Sequence, residues 1–187
     1  EKLSASGRRI GIAWEDVEAV YGGEVCVAAI QPDDDKTRHA LIMLVDVTGH
    51  LPEANELLQK IRKRQEEKGA KRELKRITDT DSQFTIYTLP KETGEKRSRQ
   101  LVFFIHDDWL VAVNELGAAL DIYLRMAGKR QGGLDTVPAY RESLGRVARG
   151  AGSTSPHLRW FLDPFGFVAW QRASEGNPKR RGTDWHK

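Results

Sequence analysis

A single cysteine, Cys26, stands in 187 residues, so no disulfide can close within the chain. Inside the apolar run Val25 to Ile30 it reads as a small buried hydrophobe, not as a metal ligand or nucleophile. It leaves the redox compartment open, because a secreted protein without disulfides and a cytosolic one with a core thiol share this composition. Long apolar runs are lacking too. The longest, Ala40 to Val47, has the length of a strand and falls far short of the roughly 20 residues that span a bilayer. Neither a Walker-type loop nor a Gly-x-Gly-x-x-Gly stretch after a strand is present to cradle phosphates. The Gly-x-Ser-x-Gly elbow is missing as well, and Ser153, Ser155 and His157 sit in a Gly- and Ser-rich loop with no strained turn to expose a nucleophile. No pattern recurs at a period of about 20 to 50 residues, which argues against a solenoid or a propeller.

What is present is an ordinary globular balance: 39% hydrophobic and 30% charged residues, too rich in Val, Ile, Leu and Phe for a disordered chain. The length is enough to bury one core without staples. Thirty bases against 27 acids leave a formal charge of +3, a small difference of two large numbers that does not by itself name a partner.

Periodicity and turn residues divide the chain into elements. Trp14, Val17, Val20 and Tyr21 have helical spacing and stop at Gly22-Gly23. Val25 to Ile30 and Ala40 to Val47 read as a hairpin of two well-buried strands around Gln31 to Lys36. Leu51, Ala54, Leu57, Leu58 and Ile61 make the face of a helix that ends at Gly69. Leu74 to Thr78, Phe84 to Leu89, Leu101 to Ile105 and Trp109 to Val113 follow as four strands joined by short turns, the signature of an antiparallel meander. Asn114 can cap a helix with the stripe Leu116, Ala119, Leu120, Tyr123 and Leu124, closing at Gly128. A further helix runs from Val137 to Arg149, Leu158 to Leu162 reads as a strand, and Asp163-Pro164 opens a last helix whose Phe165, Val168 and Ala169 face inward. Runs of strands without regular strand-helix alternation predict an α+β fold, an antiparallel sheet of six to seven strands with helices packed mainly on one face. Residues 1–175 are expected to form one domain, and 176–187 a flexible basic tail.

Candidate chemistry is sparse. His106-Asp107-Asp108 could hold a divalent cation or support general-base catalysis, but it joins two apolar strands, where Asp-Asp is common turn chemistry, and a metal would need ligands from elsewhere. Asp79-Thr80-Asp81-Ser82-Gln83 begins like a calcium loop and then lacks the glycine and glutamate that such a loop needs, so a hairpin turn is the better account. Asp33-Asp34-Asp35 beside Pro32 reads as a solvated turn tip. The aromatic groups Phe103-Phe104 and Trp160-Phe161 with Phe165, Phe167 and Trp170 read as core, because they lie in apolar runs.

One regional bias stands out. From Lys60 to Arg76 nine bases face three acids. Arg62, Lys63, Arg64, Lys71 and Arg72 are the candidate anion-binding surface, able to neutralise phosphates or anionic headgroups. The competing reading is the wet face of an amphipathic helix followed by an edge strand whose lysines discourage sheet-to-sheet pairing. No aromatics interleave with these bases as base stacking requires, which disfavours nucleic acid. Lys179-Arg180-Arg181 is a second basic spot in the tail.

Several stretches resemble a planctomycete family of unknown function, related to larger secreted or membrane-anchored proteins. They are Gly22-Gly23-Glu24-Val25, Val45-Asp46-Val47-Thr48-Gly49, Tyr87-Thr88-Leu89-Pro90, His106-Asp107-Asp108-Trp109-Leu110-Val111, and Leu158-Arg159-Trp160-Phe161 with Pro164-Phe165-Gly166. The resemblance implies an extracytoplasmic setting and a longer parent, with any membrane anchor lying outside this chain. It brings no catalytic residues with it. The expectation is therefore a non-enzymatic, envelope-associated structural or interaction domain with a protein partner, without catalytic, cofactor or metal residues. The alternatives are a polyanion-binding module through residues 60–76 and a metal-dependent or hydrolytic enzyme built on His106, Asp107 and Asp108.

Overall fold

The alternation of apolar side chains in the central strands is what builds this molecule, because it gives the sheet two apolar faces that both need cover. In the computed structural model, which describes residues 10–32, 35–77, 82–91, 98–151 and 158–174, β1 (Val25–Ile30), β2 (Ala40–Asp46), β3 (Lys71–Arg76), β4 (Gln83–Thr88), β5 (Gln100–His106) and β6 (Trp109–Val113) form one sheet. Their order is β1-β2-β6-β5-β4-β3, and every neighbouring pair is antiparallel. The hairpin β1-β2 and the meander β3 to β6 are joined in space by β2 against β6, with Val45 opposite Leu110 and Met43 opposite Ala112. The α+β antiparallel sheet expected from the pattern is the fold.

Helices lie on both faces, not mainly on one. Leu41, Met43 and Val45 of β2, Leu110 and Ala112 of β6, and Leu101 and Phe103 of β5 point to one side. There they bury Val17 of α1 (Trp14–Glu18) and Ala54, Leu57 and Ile61 of α2 (Leu51–Glu67). Ile42, Val102, Phe104, Val111 and Val113, with Phe84 and Ile86 of β4, point to the other side and bury Ala118, Ala119 and Tyr123 of α3 (Leu116–Met126). Strands whose successive residues are all apolar, such as Leu101-Val102-Phe103-Phe104, are the mark of a sheet covered twice. Full burial of Leu57 and Ile61 contributes about 1.5–3 kcal/mol each. On the α3 side Phe84 and Phe104 stack at 4.6 Å between ring centres, and Tyr123 meets them edge-on at 5.9 and 6.1 Å.

Local signals explain the ends of the elements. Gly69 takes φ +74 at the exit of α2, a conformation that glycine adopts without penalty, and Ala70 N–H closes the turn on the Gln65 carbonyl at 3.0 Å. The cap of α3 is Glu115, whose carboxylate accepts from Ala118 N–H and holds Arg38 at 2.9 Å. Asn114, expected in that role, instead accepts from Leu41 N–H at 2.7 Å and ties the start of α3 to β2. The stripe of α2 extends one turn beyond the expected face to Gln65, which is buried with its Oε1 meeting no hydrogen-bond donor among the described residues, while Leu51 is exposed.

Other expectations are corrected at the edges. β1 is not well buried: it is the edge strand, and Cys26 on it is exposed. The neighbouring chain still shields the sulfur enough to push the thiol pKa up, and Glu24 adds to this. Leu158 to Leu162 forms no strand, and Trp160 there is 81% exposed. The helices α4 (Pro138–Ala151) and α5 (Pro164–Ser174) lie where proline and Asp163 predict them. Phe165 and Val168 of α5, however, face solvent, and Ala173 is its buried residue. Asp33-Asp34, Asp79 to Asp81, Ser153, Ser155, His157 and the tail 176–187 lie outside the described residues.

Candidate functional site: a basic cleft between helix and sheet edge

Ala54, Leu57 and Ile61 of α2 pack with residues of β2, β6 and β5 and with Tyr87 of β4, and the outer face of the same helix stands beside this face of β4 and β3. The pairing register places Arg72, Leu74 and Arg76 of β3 beside Tyr87, Thr85 and Gln83 of β4 on this face, and turns Lys71, Glu73 and Lys75 to the opposite one. The result is a cleft of about 290 Å³. Asn55, Gln59 and Arg62 form its helical wall, and Arg72, Gln83 and Thr85 its sheet wall. Tyr87 and Phe103, both almost wholly buried, lie beneath.

The five residues marked from sequence as an anion-binding surface do not form one patch. Arg62 and Arg72 enter the cleft together. Lys63 is exposed outside it, and Arg64 makes a bidentate pair with Asp16 of α1, one arm at 3.0 Å. Burial tends to push the Asp16 carboxyl up, but the bonds from Arg64 and from Ala13 N–H outweigh it and hold the pKa below the ordinary value. Lys71 faces away because adjacent residues of a strand point to opposite sides.

Within the cleft, Arg62 Nε donates to Glu66 Oε1 at 2.8 Å. Arg72 stands opposite Tyr87 in the β3-β4 pair, and burial raises the pKa of the Tyr87 hydroxyl against the pull of Arg72, with Glu66 pushing it up further and Arg62 pulling it down. Tyr87, Gln83 and Thr85 were not singled out from sequence. The signal was there in the alternation of Gln83-Phe84-Thr85-Ile86-Tyr87-Thr88, whose polar-edged residues share one face while Phe84 and Ile86 share the other.

His106-Asp107-Asp108 is a tight turn. Asp107 and Asp108 take φ 45 and 60, the left-handed pair of a two-residue hairpin loop joining β5 to β6. His106 packs its ring on Tyr123 at 5.0 Å, and its Nε2 lies 3.5 Å from Asp107 Oδ2. Among the described residues no three His, Cys, Asp or Glu side chains converge to hold a metal ion, and no helix is long and apolar enough to cross a membrane.

Protein-family models, curated proteins and solved structures give no match to the chain.

A second region differs in kind from the cleft. Between α4 and the end of α5, Leu158, Trp160 and Phe165 are 80%, 81% and 87% exposed. This arm is held lightly: Phe161 meets Tyr140 of α4 edge-on at 5.3 Å, and α5 packs along β1.

Proposed function

We propose that this chain is a non-enzymatic interaction domain that engages a protein partner through the aromatic arm at residues 158–168. The observation that carries this reading is the exposure of Trp160 and Phe165 on a segment that also offers Leu158 and Arg159. Aromatic and arginine side chains dominate the energetics of protein interfaces because they bury large areas at small conformational cost. Exposed apolar surface of this kind marks an interaction site. The resemblance of five stretches to a planctomycete family of secreted or membrane-anchored proteins supports a setting at the cell envelope, with any anchor supplied by a longer parent.

Placing a photo-crosslinking amino acid at position 160, and in parallel at the exposed Glu67 of α2, tests the reading in envelope and cytosolic fractions. A discrete adduct from position 160 that is absent at 67 and lost with Phe165→Ser is expected. Identical patterns from both positions would refute it.

Polyanion binding through residues 60–76 is the second reading, favoured by the shared opening of Arg62 and Arg72. It requires salt-dependent retention on heparin that disappears when Arg62, Lys63 and Arg64 are changed to Glu.

A further inference from the structure

The cleft between α2 and β3-β4 carries more charge than its own residues neutralise. Arg62 spends its Nε on Glu66, and among the described residues nothing hydrogen-bonds to its two terminal nitrogens. Arg72 lies opposite Tyr87 in the register and, among the described residues, pairs with no carboxylate. Two guanidinium groups against one carboxylate leave one positive charge facing the opening. The planar fork of a guanidinium matches the oxygens of a carboxylate or phosphate, so the deficit has a geometry as well as a sign.

The remaining walls narrow the ligand further. Asn55, Gln59 and Gln83 offer amides that both donate and accept, and Thr85 a hydroxyl that does the same. That lining suits a body covered in hydroxyl groups, resting against the apolar Leu58 and Ile105. At about 290 Å³ the cleft falls just below the roughly 300–1,000 Å³ typical of ligand pockets, which favours a molecule of one sugar ring over a polymer or a drug-sized compound. We propose that this cleft binds a small hydroxylated molecule bearing one oxyanion group, a sugar acid or sugar phosphate, with the anion held between Arg62 and Arg72. The site is independent of the aromatic arm, so failure of the partner reading leaves it standing.

The test is a nuclear magnetic resonance titration of the whole chain, read at the side-chain amides of Asn55, Gln59 and Gln83 and at the Nε signals of Arg62 and Arg72. The probes are glucuronate, glucose 6-phosphate, neutral glucose and inorganic phosphate. At least one of the two anionic sugars shifts these signals, and the stronger of them shows whether the source is a carboxylate or a phosphate. Glucose binds more weakly than that anionic sugar by about tenfold or more. Arg72→Gln weakens the anionic sugar by a similar factor, whereas Lys71→Gln, which removes the same charge one residue away on the opposite face, leaves it unchanged. Arg62→Gln repeats the measurement on the helical wall, and unchanged backbone spectra establish that each variant folds. Equal losses in Arg72→Gln and Lys71→Gln, inorganic phosphate binding as tightly as either sugar, or no response to either anionic sugar up to about 20 mM would each overturn the proposal.

Discussion

The same kind of side chain meets opposite fates in two regions of this protein. In the sheet, Phe84, Phe103 and Phe104, like Tyr123 of the helix above them, are 2% exposed or less, whereas in the C-terminal arm Trp160 and Phe165 exceed 80%. Aromatic character is therefore not the deciding property. A strand residue is buried when the pleat aims it at a face that a helix covers, and both faces of the central strands are covered. The arm belongs to no ladder, so no neighbouring strand fixes its direction, and its rings are left at the surface. One region converts apolar area into stability at about 25 cal/mol per Å², and the other leaves that area in water.

The sharpest way to break this contrast is Phe104→Ala, which removes a ring stacked on Phe84 and touched by Tyr123. A loss of about 3–5 kcal/mol is expected, read from the urea midpoint; a loss comparable to that of an arm variant would erase the distinction. Next comes Gly22→Ala, at the entry to β1. An added Cβ would stand 2.7 Å from Thr48 N and 2.8 Å from Thr48 O, and because these are backbone atoms the chain itself must shift. About 1–3 kcal/mol should be lost in the same assay.

Asp16→Asn is expected to cost about 0.5 kcal/mol, since Arg64 is substantially exposed and solvent screens the pair. The folded pKa of Asp16 lies below 3.8, so its contribution is fully present above that value and disappears as pH falls through the lowered folded pKa. Thermal melts of the native chain and the variant should differ at neutral pH and converge in acid. The smallest effect belongs to Trp160→Ser and Phe165→Ser, each within about 0.5 kcal/mol of the native stability, with Phe165→Ser also removing the crosslink from position 160. A larger loss would show that these rings are part of the core.

The elements themselves were legible from residues. Periodicity located α2 through Ala54, Leu57 and Ile61, glycine marked its exit at Gly69, and proline marked the starts of α4 and α5. Alternation and turn chemistry located five of the strands, but they place β3 at Leu74 to Thr78 where it runs from Lys71 to Arg76, and they predict a strand at Leu158 to Leu162 that does not form. Asp107-Asp108 carries hairpin-turn chemistry and takes the left-handed backbone that goes with it. The candidate site was half legible. The bias from Lys60 to Arg76 pointed to the right segment, but five bases were grouped where only Arg62 and Arg72 meet.

Local sequence by itself determined where most of the helices and strands lie, because capping, glycine conformation and side-chain period act over a few residues. Only the tertiary structure decided that β1 is an edge, that helices cover both faces, that Lys71 and Arg72 part company, and that Tyr87 sits beneath two guanidinium groups. Those outcomes depend on strand order and pairing register, which bring together residues far apart in the chain and leave no local pattern to be read.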